Sequence, residues 1–343
     1  MADGVGRPAP IAVTMGEPAG IGGELTLQAW SQRDSERLPG FFVLDDPARL
    51  DRLAKTLGMA VPIAEIGEPA AAADAFATSL PVLPLDHAIA ASPGRPAAAD
   101  APHVLAAIER AVDFCRRGDT AAMVTNPINK KVLYEAGFDH PGHTEYLAAL
   151  CGGSDRPVML LAAEGIRVVP VTVHVPLSQV AGDLTTDLIV ETAAITAEAL
   201  CKDFGIDKPR LAVAGLNPHA GENGALGREE IEVIEPALDI LRGRGIALTG
   251  PMPADTLFHA AARRTYDAAI CMYHDQALIP LKTIDFDGGV NITLGLPIVR
   301  TSPDHGTAFD IAGTGRANPA SLIAAIKRAA EIAANRSAFE RAA

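Results

Sequence analysis

Residues 165–219 read GIRVVPVTVHVPLSQVAGDLTTDLIVETAAITAEALCKDFGIDKPRLAVAGLNPH. The segment opens with a β-branched run, Gly165–Val175, that predicts a strand. Leu184–Leu200 follows with the apolar spacing of a long helix, and Leu211–Leu216 returns to a short apolar run. Strand, helix, strand is the unit of a parallel sheet covered by helices. The alternation continues outward in both directions. Towards the C-terminus, Glu229–Leu241 predicts a helix, Ala268–Tyr273 a strand, and Ser321–Ala334 a closing amphipathic helix. Towards the N-terminus, Ile11–Thr14 predicts a strand, then a glycine-rich turn and a helix near Gly23–Trp30. Phe41–Leu44 and Ala121–Thr125 are further strands, and Val104–Cys115 has helical spacing. Val61–Asp100, rich in Pro and Ala, predicts connecting structure with room for one short strand pair. The expected fold class is α/β, and no internal repeat or low-complexity tail interrupts it.

Composition narrows the function. The chain has 343 residues and a formal net charge of −13, which disfavours nucleic acid as a partner. Aromatic residues are only 4%, so Ala, Val, Ile and Leu must build the core. Cys115, Cys151, Cys201 and Cys271 are widely spaced and form no CxxC pair, which predicts neither a disulfide framework nor a thiolate metal site. MADGVGRPAP carries no apolar signal core, and no run of about 20 apolar residues predicts a membrane span. A cytoplasmic location is the expectation.

Three predicted strands end in histidine: His174 closes VVPVTVH, His219 follows LAVAGLNPH, and His274 follows AAICMYH. Ligands of open α/β sheets collect beyond the carboxyl ends of the strands. Three imidazoles delivered there could form one metal site with positions left open for substrate. Each could equally be a hydrogen-bonded loop residue. His143 (PGHTEY) and His305 (PDHGTA) lie in similar glycine-marked loops, whereas His87, His103, His140 and His259 lack such a context.

The N-terminal IAVTMGEPAGIGGEL, with Asp45 and Asp46 after the second strand, resembles a dinucleotide loop. Its glycines, Gly16, Gly20, Gly22 and Gly23, do not keep the GxGxxG spacing, so a tight turn is the expectation and a Rossmann fold is not. Asp304–Ile326, DHGTAFDIAGTGRANPASLIAAI, resembles instead the loop that holds the adenine end of the nicotinamide cofactor in the isocitrate and isopropylmalate dehydrogenases. On that resemblance His305, Gly306, Asp310 and Asn318 are candidate cofactor-binding residues. Asn318 and Pro319 would also make a good helix start on their own.

Further segments, among them TMGEPAGIGGEL, NPINKKVLYEAGFDHPGHTEYLA, LNPHAGENGALGREEIEVI, GPMPADTLF and MYHDQALIPLKTIDFDGGVNITLGLPIVRTSPDHGTAFDIAG, resemble the 4-hydroxythreonine-4-phosphate dehydrogenases from about Ile11 to Ala330. That resemblance implies two α/β/α lobes with a cleft between them, as in isopropylmalate dehydrogenase. Residues 1–130 with 285–343 would form the cofactor-side lobe, and 131–284 the metal, substrate and dimerisation lobe. It implies a homodimer, one divalent ion per subunit (Zn, Co or Mg) on His174, His219 and His274, and His274 contributed across the interface. It places His143, Thr144, Lys282, Asn291 and Arg300 on the substrate. Lys282 and Asp255 are the candidate catalytic groups, although Asp255 could instead be a helix cap; Asp275 and Asp255 could orient the imidazoles. The implied reaction is oxidation of a phosphorylated hydroxy acid by NAD or NADP with loss of CO₂, in pyridoxal 5'-phosphate biosynthesis. A paralogue acting on 4-phosphothreonate or 4-phosphoerythronate, a histidine-metal hydrolase or lyase, and a non-catalytic binding protein are the competing readings.

Overall fold

The structure is a computed structural model that describes residues 8–85, 88–140, 142–153 and 156–342; His87 and the first seven residues lie outside them. Twelve strands run through the described residues: β1 (Ile11–Thr14), β2 (Phe41–Asp45), β3 (Ile63–Glu65), β4 (Leu80–Pro84), β5 (Ala122–Thr125), β6 (Val158–Ala163), β7 (Ile166–Thr172), β8 (Arg210–Ala214), β9 (Ala247–Met252), β10 (Ala268–Tyr273), β11 (Val290–Leu294) and β12 (Arg300–Pro303). The chain divides into two compact units, Met1–Arg156 with Leu296–Ala333 and Pro157–Gly295 with Ala334–Ala343. It passes from one to the other at 156/157 and 295/296, further along than the 130/131 and 284/285 boundaries read from the sequence.

In the first unit the strand order is β3-β4-β2-β1-β5-β12, and every pairing is parallel. This is not the 3-2-1-4-5-6 order of a Rossmann sheet. β1, β2 and β5 are buried at every residue, as helices on both faces of a parallel sheet require. Helix Ala101–Arg117 supplies much of that cover. Val104, Ala107, Ile108, Ala111 and Val112 pack with Ala12, Phe42 and Met123 in one apolar cluster. The Pro- and Ala-rich stretch folds as the pair β3–β4, joined by short helical turns.

The second unit has the order β11-β6-β7-β10-β8-β9. β7, β10, β8 and β9 are parallel, while β6 runs antiparallel to both β11 and β7. Its core packs Ile166 and Val168 of β7, Ala212 and Ala214 of β8, and Ala269 and Cys271 of β10 against Ala277 and Leu281 of helix His274–Ile284. The four cysteines are free thiols. No described helix is long and apolar enough to cross a membrane.

Candidate active site

β10 lies between β7 and β8, so its end stands beside the ends of both. The register pairs Tyr273 with Thr172 and Ile270 with Val213. Two buried polar side chains lock the three ends together. Thr172 Oγ1 donates to the Met272 carbonyl (2.7 Å). Gln276 accepts from Met272 N (2.7 Å) and donates to the Gly215 carbonyl (2.8 Å). With strands about 4.8 Å apart, this fixes where the chain leaves each strand.

His174 leaves β7 with φ 54°, in the left-handed region, and turns its ring towards His274. The two ring centroids are 5.6 Å apart and the planes are inclined by 40°. Two imidazoles on one tetrahedral ion, each bonding at about 2.0–2.1 Å, place their centroids roughly 5 Å apart. The pair therefore fits a shared cation. The rings line a pocket of ≈ 200 Å³ together with Thr172, Tyr273 and Asp275. Asp275 Oδ1 lies 2.7 Å from His274 Nδ1. A carboxylate can only accept, so the proton sits on Nδ1 and the Nε2 lone pair is available to a metal.

His219 is not among the residues lining this pocket; it is exposed on a turn after β8. Among the described residues no group of three His, Cys, Asp or Glu side chains is arranged to hold a metal ion. One chain thus joins two of the three expected histidines. Asp255 is exposed on the short helix Ala254–Leu257. Lys282, half-buried in the last turn of helix His274–Ile284, has its ammonium 5.2 Å from the Phe286 ring centre. Asn291 is half-buried on β11, opposite Leu161.

The first unit holds the other substrate candidates. Arg300 begins β12 and is buried; its guanidinium donates twice to Thr125 Oγ1, at 2.7 and 3.1 Å. Burial pushes its pKa down to about 10. His143 is the first residue of helix His143–Leu150, with Thr144 half-buried beside it. His143 Nε2 is shielded from solvent and has no hydrogen-bond partner. Burial first, then the positive charges of Arg300 and Lys130, hold the imidazole well below its ordinary pKa of 6.5. A neutral ring with an unanswered nitrogen among cationic groups suits an anionic, hydrogen-bonding ligand.

The same burial has a consequence for stability. The unfolded chain protonates His143 near pH 6.5 while the folded chain does not, so stability falls as the pH drops below about 6.5, by at most about 1.4 kcal/mol per pH unit. Urea unfolding at about pH 7.5 and about pH 5.5 checks this. His143→Gln is expected to lose less stability over that interval than the unsubstituted chain, and identical losses would refute it.

The loop that resembles a nicotinamide site is held by the glycine-rich N-terminal turn. Glu24, fully buried, accepts from Gly313 N (3.0 Å) and Ala317 N (3.2 Å). Ile21 N donates to the Thr307 carbonyl (3.1 Å), and a side chain on Gly20 would come within 2.9 Å of that oxygen. Asp45 is taken up by Arg49, with contacts of 2.5 and 2.9 Å, and Asp46 caps helix Pro47–Thr56. These two acids have structural work, and the tight-turn reading of the glycines fits the geometry. Gly306 and Asp310 are exposed, and His305 Nδ1 lies 3.0 Å from the Gly306 carbonyl. Asn318 accepts from Ala320 N (3.0 Å), so it does start the last helix, Ala320–Ala342.

Sequence reasoning assigned no part to Glu24, Gln276 or Asn126. Asn126 is buried and donates to the Thr14 carbonyl (3.0 Å) and Thr26 Oγ1 (3.2 Å), bracing the ends of β1 and β5. The signal that could have found Glu24 is an acid set inside the apolar run IGGELTL.

Comparison with known proteins agrees with these features. The family described as pyridoxal phosphate biosynthetic protein PdxA matches residues 38–329. A 4-hydroxythreonine-4-phosphate dehydrogenase from Bradyrhizobium diazoefficiens is 55% identical over 336 residues, 95% of this chain and 97% of that protein. The crystal structure of 4-hydroxythreonine-4-phosphate dehydrogenase from Klebsiella pneumoniae matches with a TM-score of 0.86 at 40% identity, over 95% of this chain and 99% of that one. A terephthalate 1,2-cis-dihydrodiol dehydrogenase from Burkholderia xenovorans matches with a TM-score of 0.64 at 28% identity, over 95% and 98%. With sequence identity of this extent over nearly its whole length, the chain belongs to the PdxA family of pyridoxal phosphate biosynthetic proteins.

Proposed function

We propose that this chain is a dehydrogenase that oxidises 4-phosphohydroxy-L-threonine at C3 with NAD or NADP and releases CO₂, giving 3-amino-2-oxopropyl phosphate for pyridoxal 5'-phosphate synthesis. The observation that carries the proposal is the His174–His274 pair, spaced for one cation and oriented by Asp275, in a chain whose relatives bear the dehydrogenase name. When bound, a divalent ion (Zn, Co or Mg) supplies a Lewis acid that lowers the pKa of a ligated hydroxyl, and a nicotinamide supplies the hydride acceptor.

The chain's own residues bind and orient. His174 and His274 would hold the ion as neutral imidazoles, which leave it its full charge, and His219 is the proposed third ligand. Asp275 keeps the His274 proton on Nδ1. Arg300, His143 and Thr144 would take the phosphate: a guanidinium supplies directional donors, and the orphaned Nε2 supplies another polar contact. Asn291 would bind a further polar group of the substrate. Lys282 Nζ and the Asp255 carboxylate are the candidate proton donor and acceptor. His305, Gly306, Asp310 and Asn318 would line the nicotinamide site on a loop that Glu24 holds. The protein would work as a homodimer, with the ion at the interface between subunits.

The test is direct. Metal-loaded protein given 4-phosphohydroxythreonine and NAD or NADP should form reduced nicotinamide and CO₂ in equal amounts. Chelation should stop the reaction and added cation restore it. Turnover of 4-phosphothreonate or 4-phosphoerythronate in preference, or hydrolysis without nicotinamide reduction, would overturn the proposal.

A further inference from the structure

His219 through Asn223 all carry positive φ: 53°, 51°, 76°, 44° and 56°. They form one left-handed turn, and four of the five are not glycine. Each of those four sets its Cβ against the following carbonyl, the contact that disfavours this conformation in L-residues. Such a turn persists only where its surroundings over-determine it. Here the constraint comes from one carboxylate.

Glu230 is buried, with 2% exposure. Its Oε1 accepts from Leu216 N and Asn217 N, both at 2.7 Å, and its Oε2 accepts from Asn217 Nδ2 at 2.9 Å. Asn217 Nδ2 also donates to Glu229 Oε2 (2.7 Å). The chain entering the turn is thus held at both main-chain amides and at one side chain. The turn itself lies against the same carboxylate: a side chain on Gly221 would sit 2.5 Å from Glu230 Oε2. Glu230 opens a π-turn, Glu230–Ile234, before helix Glu235–Gly243. A π-turn adds one residue to the helical repeat and re-aims the side chains at its start, a device common near functional groups. His219, by contrast, makes no side-chain hydrogen bond among the described residues, so the path of its main chain sets where the imidazole stands.

We infer that Glu230 is the positioning residue for His219: by clamping Leu216 and Asn217 it holds the left-handed turn and thereby presents the imidazole to a cation. The inference rests on the proposed ligand role of His219, and the experiment separates the two. The metal-free full-length protein is titrated calorimetrically with Co²⁺ alone, as wild type, Glu230→Gln, Glu230→Ala and His219→Ala. Amide hydrogen exchange is followed at Leu216 and Asn217.

Glu230→Ala is expected to weaken Co²⁺ binding about 10- to 100-fold, the range for groups that orient a ligand, and to speed exchange at both amides. Glu230→Gln keeps an oxygen for those amides and should stay near wild type, a rescue that a space-filling role would not require. If the alanine variant unfolds, Glu230→Asp replaces it; the carboxylate withdrawn by one methylene should give the same loss. Wild-type affinity in Glu230→Ala beside weak binding in His219→Ala overturns the positioning role alone. Wild-type affinity in His219→Ala overturns the ligand role and the inference with it.

Discussion

Arg300→Met should lower kcat/KM for the phosphorylated substrate by a factor on the order of 30 to 5,000 while leaving the KM for nicotinamide nearly unchanged. The range follows from about 2–5 kcal/mol for truncating one partner of a buried, hydrogen-bonded charge pair, at about 1.4 kcal/mol per factor of ten. Methionine keeps the apolar stem and removes the charge and the donors. The fold should tolerate the change. Burial already disfavours the guanidinium cation, which is why its pKa sits near 10, and the new loss is the pair of donations to Thr125 Oγ1, a neutral acceptor. Losing them costs about 1 kcal/mol. Steady-state kinetics with each substrate varied in turn, beside a urea denaturation curve, make the check. Equal rises in both KM values, or a large drop in stability with catalysis intact, would show Arg300 to be a structural residue.

Arg336→Ala should destabilise the protein by about 3–5 kcal/mol, because it strands a buried carboxylate. Asp203 follows helix Thr186–Lys202 and is 2% exposed. Arg336 meets it with two donations, Nε at 2.5 Å and Nη2 at 3.1 Å, and Asn335 Nδ2 donates to the Asp203 carbonyl at 2.9 Å. The planar fork matches the carboxylate bidentately, a geometry lysine cannot reproduce. The double variant Asp203→Leu/Arg336→Met should recover most of the loss, since an apolar pair of similar volume escapes the desolvation cost. Chemical denaturation of the two single variants and the double closes the cycle. If Arg336→Ala costs under about 1 kcal/mol, the pair behaves as a surface bridge.

The sequence disclosed the elements whose stabilisation is local or apolar. β1, β2, β5, β7, β8 and β10 are short apolar runs with nothing polar to mask them, and the helix predicted over Leu184–Leu200 is found at Thr186–Lys202. β12 escaped notice because Arg300-Thr-Ser-Pro has no apolar pattern. It is a strand only because it pairs with β5 and because Thr301 Oγ1 donates to the Ala325 carbonyl, a partner 24 residues away. β9 contains Gly250 and Pro251, which a pattern reader takes for a turn. The final helix runs on to Ala342, beyond the expected end at Ala334, and the Arg336–Asp203 contact lies in that extension.

The candidate site was legible as chemistry and illegible as support. Histidines after strands announce themselves, and the neighbour of His274 was readable as its hydrogen-bond partner because it is adjacent in sequence. Glu24, Gln276 and Glu230 act on backbone groups brought near by the fold, at separations of 289, 61 and 14 residues. Nothing in their local sequence distinguishes such acceptors from solvated polar residues. The positive φ of His174 and His219 was hidden for the same reason, since no glycine marks either position.

The insertion of β10 between β7 and β8 also governs when this chemistry can exist during synthesis. A nascent chain that has emerged only as far as β9 holds two of the histidine-bearing strands but not the one that must lie between them. Any pairing of β7 directly with β8 at that stage would have to be undone before β10 could enter. Since β12 completes the other sheet from residues 300–303, neither unit has its full set of strands until translation is nearly over. Long-range parallel pairing is slow to form and leaves edges exposed meanwhile, so a ribosome stalled before residue 268 should display an open strand edge to chaperones.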